Sequence, residues 1–124
     1  MDLDLSTSRH GDRAVVTVAG EVDLETASQL GDAAVEAVQD VSPHLVLDLS
    51  GVTFMDSTGL KVLLTSQRRA QLAGGSFALA GPARTVQRIL ALTGLDQSIP
   101  AFPTVDEALA APLESPPPAV DPPA

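Results

Sequence analysis

Residues 45–60, LVLDLSGVTFMDSTGL, run from a five-residue apolar strand through a short turn into what reads as a helix. A strand that feeds a helix this directly points to a layered fold, with the strand in a sheet and the helix packed back across it. Leu45 to Leu49 is aliphatic except for Asp48, which suits a central strand covered on both faces. Phe54 and Met55 are expected to pack beneath the turn, and the turn leaves a hydroxyl, Ser57, where the helix should begin. Backbone N–H groups at a helix start lack intrahelical partners, and the aligned peptide dipoles leave partial positive charge there. A phosphate is therefore tolerated at this position better than at most others.

The pattern on either side is consistent with such layers. Leu3 and Leu5 alternate with Asp2, Asp4 and Ser6, and after a turn at His10, Gly11 and Asp12 the segment Ala14 to Ala19 carries Val15, Val16 and Val18, so the opening predicts a hairpin. Asp23 is the expected N-cap of a helix whose Ala27, Leu30, Ala34, Val38 and Val41 recur at spacings of three and four, ending by Ser42-Pro43. The second helix should run from Ser57 past Leu60, Leu63 and Leu64 to about Leu72, with Gly74-Gly75 as its stop. Ser76 to Ala80 predicts another strand. Gly81-Pro82 suits a helix start, with Val86, Ile89, Leu90 and Thr93 on one face before Gly94. Ile99 to Phe102, between prolines, predicts an edge strand, and Val105 to Ala110 a last short helix. The expected class is α/β (α+β layered): a mixed sheet of four or five strands with about four helices screening one broad face.

A chain of 124 residues is enough for one domain with its own core. That domain is expected over residues 1–111. From Pro112 the composition changes to six prolines in thirteen residues, so 112–124 reads as a flexible tail with too little apolar surface to offset ordering entropy. With no cysteine, there are no disulfides, thiolate metal sites or cysteine nucleophiles. Three Phe and no Tyr or Trp leave almost nothing to stack on nucleic-acid bases. No stretch reaches the roughly 18 apolar residues that span a bilayer, and no basic leader precedes an apolar run. A cytoplasmic protein is expected, without membrane or nucleic-acid partners, since a net charge of −9 does not favour a phosphate backbone.

The charge is unevenly placed. Residues 1–60 hold eleven acids and two bases, whereas residues 61–95 hold five bases and no acid. Lys61, Arg68, Arg69, Arg84 and Arg88 therefore form either a basic side on an acidic protein or the ordinary solvated surface of amphipathic helices.

Asp56, Ser57, Thr58, Gly59 and Leu60 match the Asp-Ser-(Ser/Thr)-Gly-Leu turn of the STAS family, and the chain resembles in particular the bacterial anti-sigma factor antagonists. GEVDLETA at 20–27 resembles the family's entry to its first helix, and VQRILALTGL at 86–95 its third helix with a glycine stop. The resemblance spans roughly residues 3–110 in the family's order. It implies that Ser57 is the phosphorylation site of a partner kinase. It also implies a cycle in which the unphosphorylated protein captures an anti-sigma factor with a histidine-kinase-like ATPase fold, releasing a sigma factor for transcription. The anti-sigma factor serine kinase then phosphorylates Ser57 and escapes, and a serine phosphatase resets the antagonist. ATP belongs to the partner, and no cofactor or metal is expected in this chain.

The same resemblance implies that Asp23, Asp56, Ser57, Thr58 and Gly59 form the partner-binding surface. Each also has a structural role open to it: Asp23 and Asp56 as helix caps, Thr58 as a second-choice acceptor, Gly59 as a packing residue at the helix start. Lys61 stands where relatives often have a small residue, which bears on partner choice. Two other functions compete. A serine hydrolase would need glycine two residues before the nucleophile, where this chain has Met55, and its only histidines are His10 and His44. A constitutive STAS scaffold in a sensory complex would need no phosphorylation.

Overall fold

The computed structural model describes residues 3–113. Five strands and four helices follow one another as β1 (Asp4–His10), β2 (Arg13–Val22), α1 (Ala27–Asp40), β3 (Leu45–Met55), α2 (Ser57–Leu72), β4 (Phe77–Ala80), α3 (Arg84–Thr93), β5 (Ala101–Phe102) and α4 (Val105–Ala110), with a 3₁₀ turn at Leu95–Gln97. The strands lie in the order of the sequence, β1 antiparallel to β2 and the other neighbours parallel. Parallel neighbours need crossovers, and α1, α2 and α3 supply them. The mixed sheet and layered α/β class expected from the sequence are thus observed. Most of the proline-rich stretch falls outside the described residues, from residue 114 onward.

The period-two and period-three-to-four patterns converge on one core. Val16 and Val18 of β2, Leu45, Leu47 and Leu49 of β3 and Leu79 of β4 meet Leu30 and Ala34 of α1, Leu63 of α2 and Val86 and Leu90 of α3. A smaller cluster lies on the other face of the sheet, where Val15, Val46 and Ala80 pack with Ala108 of α4, flanked by Phe102 and Leu109. The expectation that helices screen a single face is therefore corrected: α4 follows the short edge strand β5 and folds under the sheet. Arg13 holds it there by donating to the carbonyls of Leu109, at 2.6 Å, and Ala111.

Strand β3 is twice the expected length, and the turn after it is correspondingly short. Its pairing with β2 slips twice, with an extra β3 residue between the pairs Thr17 with Asp48 and Ala19 with Gly51, and another between Gly20 with Val52 and Glu21 with Phe54. Such bulges bend a strand and break its alternation. They put Leu49, Val52 and Met55 on the core side at spacings of three, a rhythm that does not read as a strand. Gly51 is required at the first bulge, because a Cβ there would sit 2.8 Å from the Cβ of Ala19. Phe54 does not pack beneath the turn as expected; it is 47 % exposed, while Met55 is buried. Thr93 is likewise on the surface, its hydroxyl donating to the carbonyls of Ile89 and Leu90.

Candidate functional site

The carboxyl ends of the parallel strands β2 and β3 lie side by side, and the chain leaves each through a tight turn. The two turns are tied together by the Asp56 amide, which donates to the carbonyl of Val22 at 3.1 Å. Asp56 is in extended backbone and is the N-cap of α2. Its Oδ1 accepts from the amides of Thr58, at 3.0 Å, and Gly59, at 3.3 Å, and from the Thr58 hydroxyl. The Thr58 hydroxyl chiefly holds the Asp56 carboxyl below its ordinary value of 3.8, against desolvation, with the Gly59 and Thr58 amides adding to the effect.

Ser57 is the first residue of α2 and is exposed. Among the described residues its hydroxyl has no hydrogen-bond partner. That of Thr58 is committed to Asp56, so the two neighbouring hydroxyls are not equivalent as acceptors. Gly59 lies beneath the turn. A Cβ there would stand 2.5 Å from Cγ of Met55 and 2.9 Å from Cγ1 of Val22, so the glycine lets the first turn of α2 close down on the strand ends. It shapes the surface from below, being buried.

Asp23 is not the N-cap of α1 as expected. The helix begins after Thr26, and Asp23 instead closes the turn before it: its Oδ1 accepts from the amides of Glu25 and Thr26, and its carbonyl accepts from the amide of Ala27 at 2.8 Å. Thr26, within the GEVDLETA segment, completes the turn. Its buried hydroxyl accepts from the Asp23 amide at 3.0 Å and donates to the Glu21 carbonyl at 2.7 Å. Two mutually bonded residues three apart form a reciprocal lock much like a capping box, and that Asp-x-x-Thr spacing was the signal available.

The turns carry side chains that nothing in the fold uses. Leu24 is 78 % exposed, and with Phe54 it flanks the Ser57 turn with apolar surface. Glu21 and Glu25 are exposed on the same strand end and turn. The site is thus a small apolar and acidic platform around a free hydroxyl. The histidines lie elsewhere: His10 bonds Ser8 on β1, and Nδ1 of His44 lies 3.0 Å from the Ser76 hydroxyl at the opposite ends of β3 and β4. Among the described residues no group of three or more His, Cys, Asp or Glu is placed to hold a metal, and no helix is long and apolar enough to cross a membrane.

Comparison with known proteins yields a consistent family. The STAS domain model matches residues 4–108. The anti-sigma-F factor antagonist RsfB of Mycobacterium tuberculosis is 36 % identical over 108 residues, covering 86 % of this chain and 87 % of the relative. An anti-sigma F factor antagonist of Paenibacillus polymyxa is 31 % identical over 88 % of this chain and 94 % of its own length. Among solved structures, an anti-sigma factor antagonist from Mycobacterium paratuberculosis superposes with a TM-score of 0.78 at 36 % identity, covering 86 % of this chain and 91 % of that one.

Proposed function

The chain belongs to the STAS domain family, with relatives named anti-sigma factor antagonists, and from that premise we propose that it is a phosphorylation-switched antagonist acting in the cytoplasm. Unphosphorylated, it binds an anti-sigma factor serine kinase through Asp23, Asp56, Ser57 and Thr58, with Gly59 setting the shape beneath them, and a sigma factor is released. The observation that carries this reading is the exposed hydroxyl of Ser57 at the first position of α2, without a hydrogen-bond partner among the described residues. The chain supplies only the acceptor, while base, Mg²⁺ and ATP come from the kinase, so no catalytic group is needed here. A serine phosphatase reverses the modification.

The local electrostatics explain why phosphate would release the partner and leave the fold whole. The modification adds a charge of about −1.5 to −2 at pH 7. Of the first amides of α2, those of Thr58 and Gly59 are already bonded to the Asp56 carboxylate, so the helix start offers a phosphate few free donors. Asp56 precedes Ser57 in the chain, and Asp23, Glu21 and Glu25 sit on the adjoining end of β2 and its turn, so this end of the sheet is rich in like charge. In solution water screens this repulsion. Under a docked partner the same charges are desolvated, and a penalty of about 3 kcal/mol weakens binding more than a hundredfold, roughly 1.4 kcal/mol being tenfold.

The test is to incubate the protein with candidate anti-sigma factor kinases and ATP, locate phosphate by mass spectrometry, and measure affinity for each form. Ser57→Ala should bind and resist switching; Ser57→Asp should bind much more weakly while keeping the wild-type melting curve. Equal affinity for the wild type and a verified phospho-Ser57 form would sink the switch and leave a constitutive scaffold.

A further inference from the structure

We propose that the seam between α1 and the outer face of α2 is a second docking surface, shaped and charged for an acidic amphipathic segment of a protein partner. Two depressions, of about 240 and 430 Å³, share Thr65 and Arg69 and so form one groove along the two helices. Val35 and Val38 line it from α1, and Val62 and Leu72 from α2. From Lys61 to Leu72 it is about 16 Å long at 1.5 Å per residue, three turns of a helix laid beside it. Leu72 is 77 % exposed, an apolar side chain that the folded chain itself does not cover.

Charge selects the occupant. The sixteen residues of α2 contain Lys61, Arg68 and Arg69 and no acid. All three bases are exposed, and among the described residues none has an ion-pair partner. Asp32 lines the groove from α1 at the Lys61 end, whereas Glu36 and Asp40 are not among the lining residues, so no carboxylate lines the half around Arg68 and Arg69. Val35, Val62 and Leu72 beside a cationic edge complement a helix with apolar residues on one stripe and carboxylates beside it. On a protein of net charge −9, with no aromatic side chain in the groove, three bases are too few to hold a nucleic acid or a membrane surface. Arg68 lies about 16 Å along the helix from Ser57, so the Arg68 and Arg69 half of the groove is set apart from that serine, while the Lys61 end is about one turn from it.

The experiment uses the full ¹⁵N-labelled chain and a synthetic 18-residue amphipathic helix with leucine on one face and glutamate on the other. Controls are the same peptide with lysine for glutamate and phosphatidylglycerol vesicles. The glutamate peptide should shift the amides of residues 31–39 and 61–73, weaken as salt is raised, and lose at least about tenfold in affinity with R68E/R69E. R68Q/R69Q, which keeps good helix formers, guards against unfolding and should also bind more weakly, whereas Ser57→Asp, whose charge lies one turn from Lys61, should lower the affinity far less than R68E/R69E does. Equal binding of the lysine peptide, shifts mapping elsewhere, a loss with Ser57→Asp as large as that with R68E/R69E, or vesicle binding through Arg68 and Arg69 without peptide binding would each overturn the proposal.

Discussion

At the scale of single residues, Asp56 and Gly59 set the geometry in which Ser57 is presented. The Asp56 carboxyl titrates below 3.8 in the folded protein, so its contribution to stability is present above that value and is lost as pH falls through the folded-state value. Asp56→Ala should lower the melting temperature at pH 7, and the gap to wild type should narrow on acidification below pH ~3.8, as thermal denaturation at the two pH values would reveal. Gly59→Ala forces a methyl group against Met55 and Val22, and overpacking of this kind costs about 1–3 kcal/mol. Urea denaturation should register that loss. A Gly59→Ala protein as stable as wild type would mean the first turn of α2 can lift from the strand ends.

At the scale of elements, the short helix α4 packs on the far face of the sheet through Ala108 and Leu109 and is tied at its end by Arg13. Its N-terminus is self-sufficient, Thr104 accepting from the Glu107 amide at 3.1 Å, but its last carbonyls depend on the guanidinium of Arg13 from β2. Hydrogen bonds to a charged group contribute about 1.5–3 kcal/mol, so Arg13→Ala should speed amide exchange across Val105–Ala110 while the amides of β2 and β3 stay protected. Uniform acceleration would instead mean that α4 and the sheet open as one unit. The bulges of β3 also belong to this scale. By carrying the strand on to Met55 they bring its end level with that of β2, which is what sets Asp56 against Val22.

Across the whole molecule, the two faces of the sheet are unequal. Leu47 is fully buried in the large cluster, and Leu47→Ala should cost about 2–5 kcal/mol of global stability in denaturant titrations, whereas Leu109→Ala, at the edge of the smaller cluster, should cost markedly less. The charge is also divided, with the Ser57 platform acidic and α2 beyond it basic. The element order, most of the helix phases, Leu64 and Thr93 excepted, and the position of Ser57 at the head of α2 were legible in the chain, because hydrophobic period and turn residues are local signals. The length of β3, the outward aim of Phe54, the handover of the α1 turn from Asp23 to Thr26, and the crossing of α4 to the far face were not. Each depends on a partner distant in sequence: the register with β2, the bare strand end, the carbonyl of Glu21, the reach of Arg13. Local pattern determines what each segment becomes, but only contact between segments decides which polar group finds a mate and which hydroxyl, like that of Ser57 among the described residues, is left without one.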